Sequence, residues 1–252
     1  MQVSMLINGE KSQTANGAHF ERRNPLDGSV ASRAPAASPE DAIAAVDAAA
    51  QAFKTWSRTG PGERRALLLK AAQTLAAKSA DLAAAMAAET GASAGWAAFN
   101  VQLGVNTLLE AASLTTRING EVIASDVPGS LAMALRQPAG VVLGIAPWNA
   151  PVILAVRAIA TPLACANTVV LKGSETCPAT QGLVIDALHE AGLPKGVVNF
   201  ITHAPADAAA VVEAMVAHPA VRRVNFTGST QVGKRIAVTC ARYLKPVVLE
   251  LG

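Results

Sequence analysis

The densest group of residues suited to chemistry is Thr227-Gly228-Ser229-Thr230-Gln231-Val232-Gly233-Lys234-Arg235, which follows an aliphatic run ending at Phe226. Glycines let backbone N–H groups approach an anion, and Ser229 or Thr230 can cap the next helix, whose positive end would face a phosphate. Gly228 to Lys234 satisfies the G-x-x-x-x-G-K spacing of nucleotide triphosphatases. Arg235, however, stands where that motif needs a hydroxyl to hold Mg²⁺. The stretch also follows the fourth of five strands, too late in the chain for the rest of that machinery. It reads as a phosphate cradle of another kind, with a purely structural turn as the plainer alternative.

Lys172-Gly173-Ser174-Glu175 places a cation and a carboxylate three residues apart at the mouth of another strand. Together they can grip the hydroxyls of an adenosine ribose, and the carboxylate would repel a 2′-phosphate, which favours NAD over NADP. Alone, the same residues could be a solvated lysine and a capping glutamate. Pro147-Trp148-Asn149-Ala150-Pro151 fixes an amide between prolines, where its N–H₂ can stabilise a developing oxyanion or simply satisfy a turn. In Val247-Val248-Leu249-Glu250-Leu251 a lone carboxylate lies among aliphatics. Desolvation there would raise its pKa towards the range of a general base, and an edge salt bridge is the alternative.

The elements that must position these groups follow from periodicity and punctuation. Short strands are expected around Asn8-Gly9 and before the turn residues Arg23 to Gly28. Ser38-Pro39-Glu40-Asp41 supplies a cap, a first-turn proline and an acid, so a helix should run to about Trp56. Pro61 opens a second helix, Ser79 caps a third, Gly91 ends it, and a fourth runs towards Arg117. Gly120, Pro128 and Gly129 punctuate a β-hairpin over Glu121 to Ile123 and Leu131 to Leu135. Five aliphatic runs then alternate with helices: Val141–Ala146, Thr168–Leu171, Val197–Ile201, Val221–Phe226 and Pro246–Leu251. This pattern predicts an α/β fold, a Rossmann-like doubly wound parallel sheet with N-terminal helices and a protruding hairpin arm. The expected divisions are 1–118 (short strands, then helices), 119–139 (the hairpin arm) and 140–252 (the sheet core). Ligands of such sheets sit beyond the carboxyl ends of the strands, where all four groups fall.

Composition narrows the partners. With 252 residues and 51% apolar content the chain can bury a sizeable core, which excludes disorder. A net charge of +3, with 15% charged and 4% aromatic residues, offers no basic block and little stacking surface, so no nucleic acid is expected. The apolar stretch from Val141 to Leu171 is broken by Pro147, Asn149, Pro151, Arg157 and Pro162, and is read as core, not as a membrane span. Cys165, Cys177 and Cys240 show no metal-site spacing, so no metal is expected and a reducing, cytoplasmic setting fits. The N-terminus lacks the pattern of a signal peptide. A short-chain reductase would need Tyr and Lys four residues apart, but Val247 stands four after Tyr243, the only tyrosine.

Ala146-Pro147-Trp148-Asn149, Val169 to Glu175, Asn225-Phe226-Thr227-Gly228-Ser229-Thr230 and Leu249-Glu250-Leu251-Gly252, in that order and spacing, resemble the aldehyde dehydrogenase superfamily. Ile7-Asn8-Gly9 and Asn24-Pro25 resemble its opening. Gly91 to Trp96, and Gly173 where proline is commoner, look like its salicylaldehyde and vanillin dehydrogenase branch. The resemblance implies NAD-dependent oxidation of an aromatic aldehyde to the acid. Asn149 would help form the oxyanion hole, and Glu250 would activate the water that hydrolyses a thioester. Lys172 and Glu175 would bind the adenosine ribose, and Trp148, Phe226, Gly228, Ser229, Val232 and Gly233 would line the NAD site, with Ser229 at the pyrophosphate. Trp96 and Arg157 would shape the aldehyde pocket, although Arg157 could equally be a buried ion-pair partner. The hairpin arm would join subunits of a homo-oligomer.

One departure is large. The family's nucleophilic cysteine lies downstream of the Glu-Leu-Gly motif, and none of the three cysteines here stands in its motif; each reads as a small buried hydrophobe. The catalytic domain is therefore expected to be absent, the chain to be a cofactor-binding portion ending on a buried strand, and turnover by it alone to fail. The alternative is a non-enzymatic module that binds dinucleotide or pairs with other subunits.

Overall fold

The aliphatic runs become strands close to their expected limits. The computed structural model describes residues 1–14 and 16–252, and among these it contains eleven strands and eight α-helices. Strands β1 (Met5–Ile7) and β2 (Glu10–Ser12) form a hairpin around Asn8 and Gly9, both at positive φ (53° and 74°), as a two-residue Asn-Gly turn requires. Strands β3 (His19–Arg23) and β4 (Val30–Pro35) make a second antiparallel pair.

Helix α1 (Pro39–Trp56) starts at a complete capping box: Ser38 and Asp41 each accept from the other's backbone N–H. Its buried residues Ala42, Ala45, Val46 and Ala49 recur at helical spacing. Helices α2 (Pro61–Ala77), α3 (Ser79–Thr90) and α4 (Ala94–Leu114) follow. Ser79 does not cap α3 as expected; the cap position falls on Lys78, because α2 runs almost directly into α3 and leaves no extended residue between them. Gly91 does close α3, in the left-handed conformation (φ 70°). The hairpin of β5 (Glu121–Ile123) and β6 (Ala132–Ala134) pairs only with itself and exposes Val122, Leu131, Met133 and Leu135.

The remainder alternates strand and helix: β7 (Val141–Ile145), α5 (Pro151–Ala164), β8 (Thr168–Lys172), α6 (Pro178–Glu190), β9 (Val198–Ile201), α7 (Ala208–Ala217), β10 (Val221–Gly228), α8 (Thr230–Arg242) and β11 (Val247–Leu251). The main sheet has seven strands in the order β11-β10-β7-β8-β9-β1-β2. The first five are parallel, and β1 adds antiparallel to β9 through Leu6 opposite Phe200, so the sheet is mixed at one edge. From β7 the chain winds outward through β8 and β9, then returns to the other side of β7 as β10. The crevice between the carboxyl ends of β7 and β10 is therefore the topological switch point.

Strand alternation sorts the core into two layers. Val141, Leu143, Ile145, Val170 and Phe226 pack with α1, α7 and α8, while Val142, Val169, Leu171 and Phe200 pack with α2 to α6. Helix α5 lies between the sheet and helices α2 and α4 and is buried over most of its surface, so the apolar stretch from Val141 is core, as expected. Arg157 is one of its few exposed residues. Among the described residues no helix is long and apolar enough to cross a membrane.

Candidate functional site

Each strand end at the switch point delivers one of the groups singled out above. After β7, the turn Pro147-Trp148-Asn149 leaves the sheet before Pro151 starts α5. Trp148 and Asn149 are exposed, and the Asn149 side-chain amide has no hydrogen-bond partner among the described residues, so its N–H₂ remains free to donate. The backbone of the turn is held from two sides. Trp96 Nε1–H, from the first turn of α4, donates to Asn149 O at 3.1 Å, and Gln181 Nε2–H, from α6, donates to Pro147 O at 3.0 Å. Trp96 also stacks on Phe99 (centroids 5.5 Å apart), and both rings are partly exposed beside the turn.

After β10, Ser229 caps α8 with its side chain on Val232 N–H (3.4 Å) and its carbonyl on Gly233 N–H (2.9 Å). The N–H groups of Thr230 and Gln231, which a helix cannot satisfy internally, are left for an anion. A Cβ on Gly228 would lie 2.5 Å from the Phe226 ring. Gly233 is hemmed in by Phe226 and Leu251. Gly228 is thus required first by Phe226, which folds beneath the start of α8, and Gly233 first by Leu251; these are packing reasons that the sequence alone did not reveal.

Two hollows adjoin the first turns of α8. A cleft of about 400 Å³ is lined by Pro147, Trp148, Asn149, Gly228, Ser229 and Glu250. A second, of about 260 Å³, lies between α7 and α8, with Val212, Phe226, Val232 and Ile236 on its walls and Lys172 at the end of β8. Lys172 is 8% exposed, and its ammonium has no hydrogen-bond or ion-pair partner among the described residues. Burial pushes its pKa down, while the charge of Glu175, half-buried three residues on, pulls it back up.

Glu250 departs from expectation. Its side chain is 58% exposed, not embedded among aliphatics, because β11 is the edge strand and this residue faces outward. It accepts from Arg157 Nη1 at 3.1 and 3.2 Å and from Thr227 Oγ1 at 3.3 Å. The edge salt bridge weighed for Glu250 is what forms, and Arg157, at 51% exposure, is an ion-pair partner at the surface instead of in the core. Cys165 is half-buried, Cys177 and Cys240 are buried, and burial raises all three thiols above their ordinary range. Among the described residues no cluster of His, Cys, Asp or Glu could hold a metal ion.

Sequence reasoning missed Glu89, Gln181 and His203 among the buried polar residues. Glu89, fully buried at the end of α3, accepts from Ser32 Oγ, Ala179 N–H (2.8 Å), Thr180 N–H (2.9 Å) and Thr180 Oγ1 (2.8 Å), and so caps α6 from a different helix. Its position on the stripe Leu82, Ala85, Met86, Glu89 was the available signal. Gln181 and His203 carried no such periodic mark.

The strand order, the capped helix at the switch point and the flanking hollows define a Rossmann-like dinucleotide-binding fold. The chain belongs to the aldehyde dehydrogenase family, whose profile matches residues 12–252. Members of that family use nicotinamide cofactors. The chain is 61% identical to vanillin dehydrogenase of Pseudomonas fluorescens and 46% identical to salicylaldehyde dehydrogenase of Pseudomonas sp. strain C18, over 252 residues in each case. The crystal structure of a salicylaldehyde dehydrogenase from Pseudomonas putida G7 complexed with salicylaldehyde matches it with a TM-score of 0.99 at 46% identity. In all three cases the match covers 100% of this chain and 52% of the relative, so the chain spans about half their length.

Proposed function

We propose that this chain binds NAD as part of an enzyme that oxidises an aromatic aldehyde to the carboxylic acid. The observation that carries the reading is the nearly buried Lys172, whose ammonium has no partner among the described residues and lines a hollow running along α8 from Val232, in that helix's first turn. The residues present fit a dinucleotide: Thr230 and Gln231 N–H would hold its diphosphate, Lys172 and Glu175 its adenosine ribose, and Phe226 and Val232 would face its adenine half. Gly228 and Gly233 let the helix start stand close, and Trp148 flanks the other half. Glu175 favours NAD, since its carboxylate meets a ribose hydroxyl well and a 2′-phosphate badly.

A nicotinamide held there would supply the hydride acceptor for the aldehyde. Asn149 donates its side-chain N–H to the developing oxyanion. Glu250, across the 400 Å³ cleft, takes the proton from an attacking water, and Arg157 orients that carboxylate. Trp96 and Phe99 offer an aromatic face beside Asn149, which suits an aromatic aldehyde. No cysteine of this chain serves as nucleophile, because each raised thiol holds its proton away from the cleft. We assign segments 1–118 and 140–252 to one dinucleotide-binding unit and 119–139 to a subunit-pairing arm, on the exposed apolar side chains of that hairpin. Three unpaired thiols fit a cytoplasmic setting.

Calorimetric titration of the 252-residue chain tests the reading: NAD should bind, and NADP about tenfold or more weakly. No binding of NAD overturns it. Oxidation of an aromatic aldehyde by this chain with NAD, above background, would overturn the exclusion of its cysteines.

A further inference from the structure

Gln181 is the fourth residue of α6, and its side chain is fully buried. Its Nε2–H donates to Pro147 O at 3.0 Å, in the turn that carries Trp148 and Asn149. Its Oε1 accepts from Ser174 N–H at 2.7 Å, in the turn between Lys172 and Glu175. The amide can face only one way, because a carbonyl needs a donor and a backbone N–H needs an acceptor. No other hydrogen bond joins these two turns among the described residues.

The mount of this side chain is rigid. Residues 179 and 180, just before it, give their N–H groups to the buried Glu89 carboxylate, and Gln181 N–H is taken by Cys177 O at 3.1 Å. The approach of the second turn is equally constrained. Gly173 N–H donates to Ile201 O at 2.9 Å, and a Cβ on Gly173 would lie 2.7 Å from the Phe200 ring and 3.4 Å from Gln181 Oε1. Ser174 is thereby brought within reach of Gln181.

We propose that Gln181 is a positioning residue that couples the two turns: a ligand seated on Lys172 and Glu175 loads the Ser174 backbone, and Gln181 passes that load to Pro147 and so to the pose of Asn149. The proposal rests on the reading of Lys172 and Glu175 as the ribose site. A purely structural Gln181 would stabilise the fold without linking events at one turn to the other.

The test labels the tryptophans of the 252-residue chain with 5-fluorotryptophan and adds AMP, which carries the ribose but no nicotinamide to touch the Pro147 to Asn149 turn. AMP should shift the ¹⁹F signal of Trp148. In Gln181→Met, similar in length but without hydrogen bonds, AMP should still bind within about threefold while the Trp148 shift falls about fivefold or more. An undiminished shift overturns the proposal. If Gln181→Met does not fold, Gln181→Glu is read in the same way, since an ionised carboxylate keeps the acceptor for Ser174 but has no proton for Pro147 O. Failure of AMP to bind the unsubstituted chain overturns the ribose-site reading, and amide hydrogen exchange without ligand then decides the coupling. The substitution should speed exchange about tenfold at the Ser174 amide and also at the Trp96 indole N–H, which donates to Asn149 O in the other turn. Faster exchange confined to residues 173–175 overturns the coupling.

Discussion

Arg157 Nη1 lies 3.1 and 3.2 Å from the two carboxylate oxygens of Glu250, so a cation on α5 anchors the acid of the edge strand β11 from 93 positions earlier in the chain. Both side chains are about half exposed, so water and salt screen the pair. Arg157→Ala should change the urea-derived unfolding free energy by no more than about 1 kcal/mol, and by less in 0.5 M salt. A loss well above that would show that the contact locks β11 to α5 instead of orienting Glu250.

The contrast is Glu89. Its carboxylate is fully buried and gathers four donors from β4 and α6. Glu89→Ala strands those donors away from water and should lower stability by about 3–5 kcal/mol. Glu89→Gln should also be destabilising, because its N–H₂ would point at groups that themselves donate. Urea unfolding of both variants measures this, and a cost below 1 kcal/mol for the alanine would mean that α6 is capped in another way.

His203 follows β9 and is 1% exposed. Its Nδ1 bonds Ala204 O at 2.9 Å, while Nε2 is buried with no partner. Burial, with Lys172 adding like-charge repulsion, lowers its pKa from 6.5 to about 4. The unfolded chain takes up this proton first as pH falls, so the stabilisation is complete above pH 6.5 and is lost progressively towards pH 4, by about 3 kcal/mol in all. His203→Asn should flatten the fall in urea midpoint over that window relative to the unsubstituted chain. Parallel curves would refute the neutral, buried imidazole.

Glu175→Gln removes the charge set against a 2′-phosphate but keeps a hydrogen-bonding side chain. The ratio of NADP to NAD dissociation constants should narrow about tenfold, mainly through tighter NADP binding. An unchanged ratio would mean that discrimination lies elsewhere in the hollow.

What the sequence made legible, and what it hid, divides along locality. Caps at Ser38 and Gly91 and the aliphatic strands announce themselves within a few residues, because their causes are backbone geometry and period-two burial. Glu250 was misread because its aliphatic neighbours record that a strand exists, not whether its outer face is covered; as an edge strand, β11 leaves that face to Arg157 and solvent. Ser79 was misread because α2 ends at Ala77, only Lys78 away, which no cap rule anticipates. Gln181 was invisible for a different reason. Its partners are backbone groups 34 and 7 residues away, and only the parallel register of Ile145 with Lys172 brings their turns side by side.

The antiparallel contact of Leu6 with Phe200 also sets a timetable for synthesis. The β1–β2 hairpin leaves the ribosome before β9, whose docking edge emerges nearly two hundred residues later. Until then both partners are open to adhesive contacts with other nascent chains. Once docked, the charged outer strand Glu10-Lys11-Ser12 shields that flank of the sheet, so the first dozen residues serve as a guard against aggregation.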